Sequence, residues 1–149
     1  MAVKLDPLPQ IYFDDVKIGD ELLGFGYKLD WTEMVKQVSG SQDFYAVHHD
    51  PEFAKSGGHK DIFYNTGWTR SQLYRLLSDY AGPEGWVRKL HFEMRRMNRP
   101  NNSIRVKGKV ADRKVTPDGN EVHIELWIEN DEEGVATPAS GVVFLPSRR

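Results

Sequence analysis

Between residues 65 and 80, Thr66, Thr69, Leu73, Leu76, Leu77 and Tyr80 recur at intervals of 3, 4, 3, 1 and 3, one face of a 3.6-residue period. A helix of that length spans about 24 Å, enough to lie across most of a β-sheet. Ala81, Gly82 and Pro83 stop it. After Gly85 the pattern changes to period 2. Trp86, Arg88, Leu90, Phe92 and Met94 alternate with Val87, Lys89, His91, Glu93 and Arg95. Ile104, Val106, Gly108 and Val110 alternate with basic residues, and Val122, Ile124, Leu126 and Ile128 alternate with mostly charged ones. Residues 141–145 supply a last strand. Pro117-Asp118-Gly119-Asn120 is a hairpin signal, and Asp131-Glu132-Glu133-Gly134 is an acidic turn. A helix stripe must bury against an apolar sheet face. The pattern therefore predicts an α+β fold, an antiparallel sheet wrapped around one long central helix. An open sheet leaves an edge, which favours pairing with a second copy or a partner.

The first third is more broken. Residues 11–16 read as extended, Ile18-Gly19-Asp20 as a turn, and residues 21–29 as a strand made irregular by Gly24 and Gly26. Asp30-Trp31-Thr32-Glu33 has capping-box spacing, and Met34, Val35 and Val38 form an apolar stripe ended by Gly40. Asp50 caps a further short helix with Pro51 in its first position, and Gly57-Gly58 ends it. No repeat or linker divides the chain, so 1–149 reads as a single domain.

Composition narrows the chemistry. The 20 basic and 22 acidic residues give a net charge of −2, with a pI near 6.2, against the basic face of a nucleic-acid binder. With no cysteine, thiolate metal sites and cysteine nucleophiles are excluded. No apolar run approaches the ~20 residues of a membrane-spanning helix, and residues 1–7 lack the apolar core of a signal peptide. The expectation is a soluble, cytoplasmic domain with no membrane or nucleic-acid partner.

The densest polar cluster is Ser39-Gly40-Ser41-Gln42-Asp43-Phe44-Tyr45-Ala46-Val47-His48-His49-Asp50, between two short helices. Asp43 and His48 are five residues apart. On a regular helix that is about 140° of rotation, so only an irregular turn brings them together. A converging carboxylate and imidazole can hold a water and move its protons across a polarised double bond. Spacing alone also admits a plainer reading, in which Asp43 caps a turn and His48 is a half-buried loop residue.

Asp43-x-x-x-x-His48-x-Asp50-Pro51-Glu52-Phe53-Ala54 resembles the signature of the MaoC-like (R)-specific enoyl-CoA hydratases, Ser-Gly-Asp-x-Asn-Pro-Leu-His-x-Asp-Pro-x-x-Ala. The similarity extends over nearly the whole chain, from the Tyr-Phe-Asp-Asp-Val opening to the long helix and trailing strands. Within the family, Asp43-Phe44-x-x-Val47-His48-His49-Asp50 and Lys60-Asp61-Ile62-Phe63-x-Asn65 look most like the small MaoC-like subunits of steroid side-chain degradation. The resemblance implies a hot-dog fold and hydration of a trans-2-enoyl-CoA. Asp43 would act as base on water, and His48 would bind that water and donate a proton. It also implies that the Asn65 backbone N–H polarises the thioester carbonyl, and it makes Tyr45 and Tyr64 candidate substrate contacts. No cofactor is implied, CoA being part of the substrate. The implied assembly is a homodimer or a hetero-oligomer with a second MaoC-like subunit. The chain departs from the family pattern at Tyr45-Ala46-Val47, where the family has Asn-Pro-Leu, and at Tyr64-Asn65, where it has His-Gly.

Competing readings are weaker. His48, His49, Asp50 and His59 contain ligand types, but adjacent histidines rarely converge on one ion, so no metal site is expected. Arg95-Arg96-Met97-Asn98-Arg99 is an isolated basic run, read as a solvated strand end or a contact for CoA phosphates. Gly57-Gly58-His59-Lys60 lacks the P-loop pattern. Two other readings stay open: a non-catalytic hot-dog subunit that completes a partner's acyl-CoA site and, more weakly, an acyl-CoA thioesterase.

Overall fold

A computed structural model describes residues 9–148; the N-terminal reading above, of residues 1–7, lies outside them. Five strands form one antiparallel sheet: β1 (Phe25–Lys28), β2 (Trp86–Phe92), β3 (Ser103–Thr116), β4 (Gly119–Asn130) and β5 (Gly134–Phe144), in the order β1-β3-β4-β5-β2. Three α-helices precede β2: α1 (Trp31–Ser41), α2 (Pro51–Ser56) and α3 (Thr66–Ala81). The α+β expectation matches this arrangement, with α3 packed against β2, β3, β4 and β5.

The stripe on α3 does what its period requires. Thr69, Leu73, Leu76, Leu77, Tyr80 and Ala81 are buried, while Thr66, in the first turn, is exposed. They meet Ile104, Val106 and Val110 of β3 and Val122, Ile124, Leu126 and Ile128 of β4 in one core. Each fully buried leucine there contributes about 1.5–3 kcal/mol relative to exposure. Contact with β5 is close enough to demand a glycine: a Cβ on Gly141 would stand 2.6 Å from Leu77 Cδ1.

Several local readings need correction. Residues 11–16 form no strand, although Tyr12 and Val16 keep extended backbone. Phe13–Asp15 make a 3₁₀ turn that buries Phe13 and is tied to the C-terminal segment by the Phe13 N–H to Pro146 C=O bond of 2.9 Å. The strand read over residues 21–29 shrinks to β1, with one isolated bridge from Glu21 to Lys109. Helix α1 passes through Gly40 and ends at Gln42, whose φ of 57° makes the left-handed turn without a glycine. The alternation of β2 breaks at a bulge between Val87 and Lys89. Val87, Leu90 and Phe92 then pack inward, and Trp86 stays exposed. Strand β5 begins at Gly134 rather than near residue 141, because the tight turn after Asn130 returns the chain directly along β4.

Arg99 is not a solvated strand end. It is buried and pairs with Glu132, which also accepts from Asn102 Nδ2 at 3.2 Å and Lys60 Nζ at 3.1 Å. Asn98, next to it, receives the Tyr64 N–H through its carbonyl at 2.9 Å, so this network braces the approach to α3. Hydrogen bonds from Arg99 first, then Lys60 and Asn102, pull the Glu132 carboxyl down to about 2. A carboxylate depressed in the folded state stabilises it above the unfolded value near 4.5, and that contribution fades as pH falls through about 2. The melting-temperature gap between wild type and Glu132→Gln should therefore be widest above pH 5 and close toward pH 2. A gap constant across that range would contradict the network.

Candidate active site

Asp43 and His48 come together because the chain between them is not a helix of one period. The left-handed Gln42 turns the chain off α1, and Ala46–His48 form a 3₁₀ turn closed by His48 N–H to Tyr45 C=O at 3.0 Å. His48 Nε2 then stands 3.4 Å from Asp43 Oδ2. The imidazole is almost covered, 8% exposed, whereas the carboxylate is 39% exposed and open to solvent on one side. Asp50 keeps the turn in place by capping α2, its Oδ1 accepting from the Glu52 and Phe53 N–H groups.

His48 has a fixed orientation. Its Nδ1 is 2.7 Å from the Phe63 carbonyl, which can only accept, so Nδ1 carries hydrogen and Nε2 is the nitrogen that faces Asp43. Phe63 and Tyr45 flank the ring edge-on, at centroid distances of 5.3 and 6.3 Å.

Asp43 is held from the other side by α3. Asn65 caps that helix by accepting the Trp68 N–H at 2.8 Å through Oδ1, and its Nδ2 donates to Asp43 Oδ2 at 2.8 Å. Oδ1 of Asp43 carries no hydrogen bond among the described residues, which leaves it free for a water or substrate. The Asn65 backbone N–H points at Gln37 Oε1, 3.4 Å away, at the positive end of the helix.

Asp43, His48 and Asn65 thus share one site. Tyr45 lines it as an exposed ring packed edge-on against Phe53. Tyr64 does not line it: its side chain has no exposed surface, and its hydroxyl donates to the Asp30 carbonyl at 3.0 Å. Burial raises its pKa, as expected of a core phenol. A substrate contact through that side chain is therefore corrected to a packing role. His49 turns away from His48, with Nε2 2.9 Å from the Phe44 carbonyl. The sequence reading missed the Asn65 side chain, Ser41, Gln37 and the Phe63 carbonyl; only the Asn65 cap had a signal, a polar residue directly before a helical stripe.

An open groove of about 760 Å³ runs along the paired strands β1 and β3 and includes neither Asp43 nor His48.

A sheet wrapped on one long helix is the hot-dog fold of solved (R)-hydratases and MaoC-like dehydratases. Among solved structures, the chain is similar to the ChsH1–ChsH2 complex of Mycobacterium tuberculosis. The TM-score is 0.77 at 23% identity, covering 87% of this chain and 98% of that one. It is similar also to the (R)-hydratase PhaJ1 of Pseudomonas aeruginosa, with TM-score 0.79, 13% identity, and 93% and 88% of the two chains covered. At these identities the structures establish the fold. A curated relative, the 3-oxo-4,17-pregnadiene-20-carboxyl-CoA hydratase beta subunit of M. tuberculosis, is 34% identical over 61 residues, 41% of this chain. That match spans 47% of the relative, about half its length. No family model matches the chain. The MaoC-like resemblance read from the sequence agrees with these relatives. Among the described residues, no helix is long and apolar enough to cross a membrane.

Nitrogen-15 NMR of the folded protein should find the neutral His48 ring protonated at Nδ1. A neutral Nε2–H tautomer would contradict the Phe63 contact.

Proposed function

We propose that this chain hydrates a trans-2-enoyl-CoA to a 3-hydroxyacyl-CoA, working beside a second MaoC-like subunit on a bulky, steroid-type acyl group. The observation that carries the reading is the 3.4 Å approach of His48 Nε2 to Asp43 Oδ2 next to the N-terminus of α3. The relatives support the class of reaction. The beta-subunit relative and the two-component complex support the partner and the acyl type.

In the proposed cycle, the thioester carbonyl sits at the start of α3, where the helix end favours the negative charge that builds on its oxygen. The Asn65 N–H donates to it once the Gln37 amide, now 3.4 Å away, gives way. Asp43 removes a proton from water as the hydroxyl oxygen bonds to C3 and the double-bond electrons move toward the carbonyl. His48, carrying hydrogen on both nitrogens, gives its Nε2 proton to C2. The proton left on Asp43 returns to Nε2 across the short gap. Atoms and charge balance with these two side chains and water, and CoA enters only as part of the substrate.

Asp43→Asn and His48→Ala should each lower hydration of crotonyl-CoA or a bulky enoyl-CoA by about 10²–10⁴-fold, followed as loss of the enoyl absorbance. The assay runs on the chain alone and with a co-expressed MaoC-like partner. Near-normal turnover in either variant would sink the assignment. Turnover that survives both substitutions only when the partner is present would favour a non-catalytic subunit, and release of free CoA would favour a thioesterase.

A further inference from the structure

Asn65 belongs to two hydrogen-bond systems at once, and its partners fix the orientation of its amide. The Trp68 N–H can only donate, so the atom facing it at 2.8 Å is Oδ1. An ionised Asp43 can only accept, so the atom 2.8 Å from its Oδ2 is Nδ2. A flipped amide would oppose oxygen to carboxylate and N–H to N–H, losing both bonds.

The surrounding groups reinforce this choice. The only hydrogen on Ser41 Oγ goes to the Gln37 carbonyl at 2.7 Å, so Ser41 turns lone pairs toward Asn65 Nδ2 at 3.2 Å and the Asp43 N–H at 3.4 Å. Gln37 closes the ring. Its Nε2 donates to Ser41 Oγ at 3.3 Å, and its Oε1 accepts the Asn65 N–H. Asn65 itself is 5% exposed, so its bond to Asp43 works largely out of competition with bulk water.

We propose that the Asn65 side chain is the positioning residue for Asp43, and that it ties the cap of α3 to the orientation of the reacting carboxylate. The bond to Oδ2 leaves Oδ1 as the oxygen open to water and holds Oδ2 toward His48. The kinetic part of this proposal rests on the hydration reading above.

Asn65→Ser and Asn65→Asp test it, because both keep an oxygen that can cap α3 while removing the Nδ2 donor. In the purified protein, with any co-purifying partner retained, kcat on crotonyl-CoA should fall at least about tenfold in each variant, with KM within about threefold and melting temperature close to wild type. In Asn65→Asp the acid limb of the pH profile should also move upward, since two adjoining carboxylates share a proton. A kcat within about twofold of wild type, with an unchanged profile, overturns the proposal. A second readout does not need activity: in a crystal structure of Asn65→Ser the Asp43 carboxylate should leave its wild-type rotamer, and its Oδ2 should move away from His48 Nε2. An unmoved carboxylate overturns the proposal as well. A wild type inactive in every assembly defeats the hydration reading, and the position of the carboxylate still decides the role of Asn65.

Discussion

Phe63, Tyr64 and Asn65, the three residues that lead into α3, each hold a different part of the molecule. The Phe63 carbonyl takes the His48 Nδ1–H, the Tyr64 ring fills the core beneath α1, and the Asn65 side chain caps the helix while gripping Asp43. Because α3 is fixed to the sheet by Leu73, Leu76 and Leu77, these attachments inherit the rigidity of the core. Site geometry and fold stability therefore share one origin. A cut in the cap reaches the carboxylate before it reaches the core.

The site is half built from loops, and its rigidity comes from what those loops lean on. Asp43 follows a left-handed residue with no glycine to ease it, and His48 closes a 3₁₀ turn. Alone, such a segment would sample many conformations. The Asp50 cap of α2 behind it and the Asn65 amide in front confine it. The sheet, by contrast, ends in two strands hydrogen-bonded on one side only within this chain, β1 and β2. Such edges are where a second subunit can add strands.

The sheet and the central helix were legible because their apolar residues follow one period for many residues: 3.6 through Leu73 and Leu77, 2 through Val122 to Ile128. Where the period breaks, the reading failed. The bulge between Val87 and Lys89 moves Trp86 to the surface, and Pro138 hides the early start of β5. Asp43 and His48 stood out as candidates through the family resemblance, since their spacing alone left the plainer reading open. Their mutual orientation was not, because it depends on contacts made far along the chain. Asn65 reaches Asp43 across 22 residues and Phe63 reaches His48 across 15. Tyr64 misled for the same reason: its neighbours in sequence face the site, but its own ring is claimed by the core.

In the proposed hydration, Asp43 and His48, 3.4 Å apart, both act on one face of a planar enoyl group. The stereochemistry of addition in deuterium oxide tests this most directly. A 3-hydroxyacyl-CoA whose C2 deuterium is syn to the new C3 hydroxyl, read from proton coupling constants, is the predicted product. An anti product, or an even mixture of the two, would contradict a single Asp43–His48 pair as the source of both.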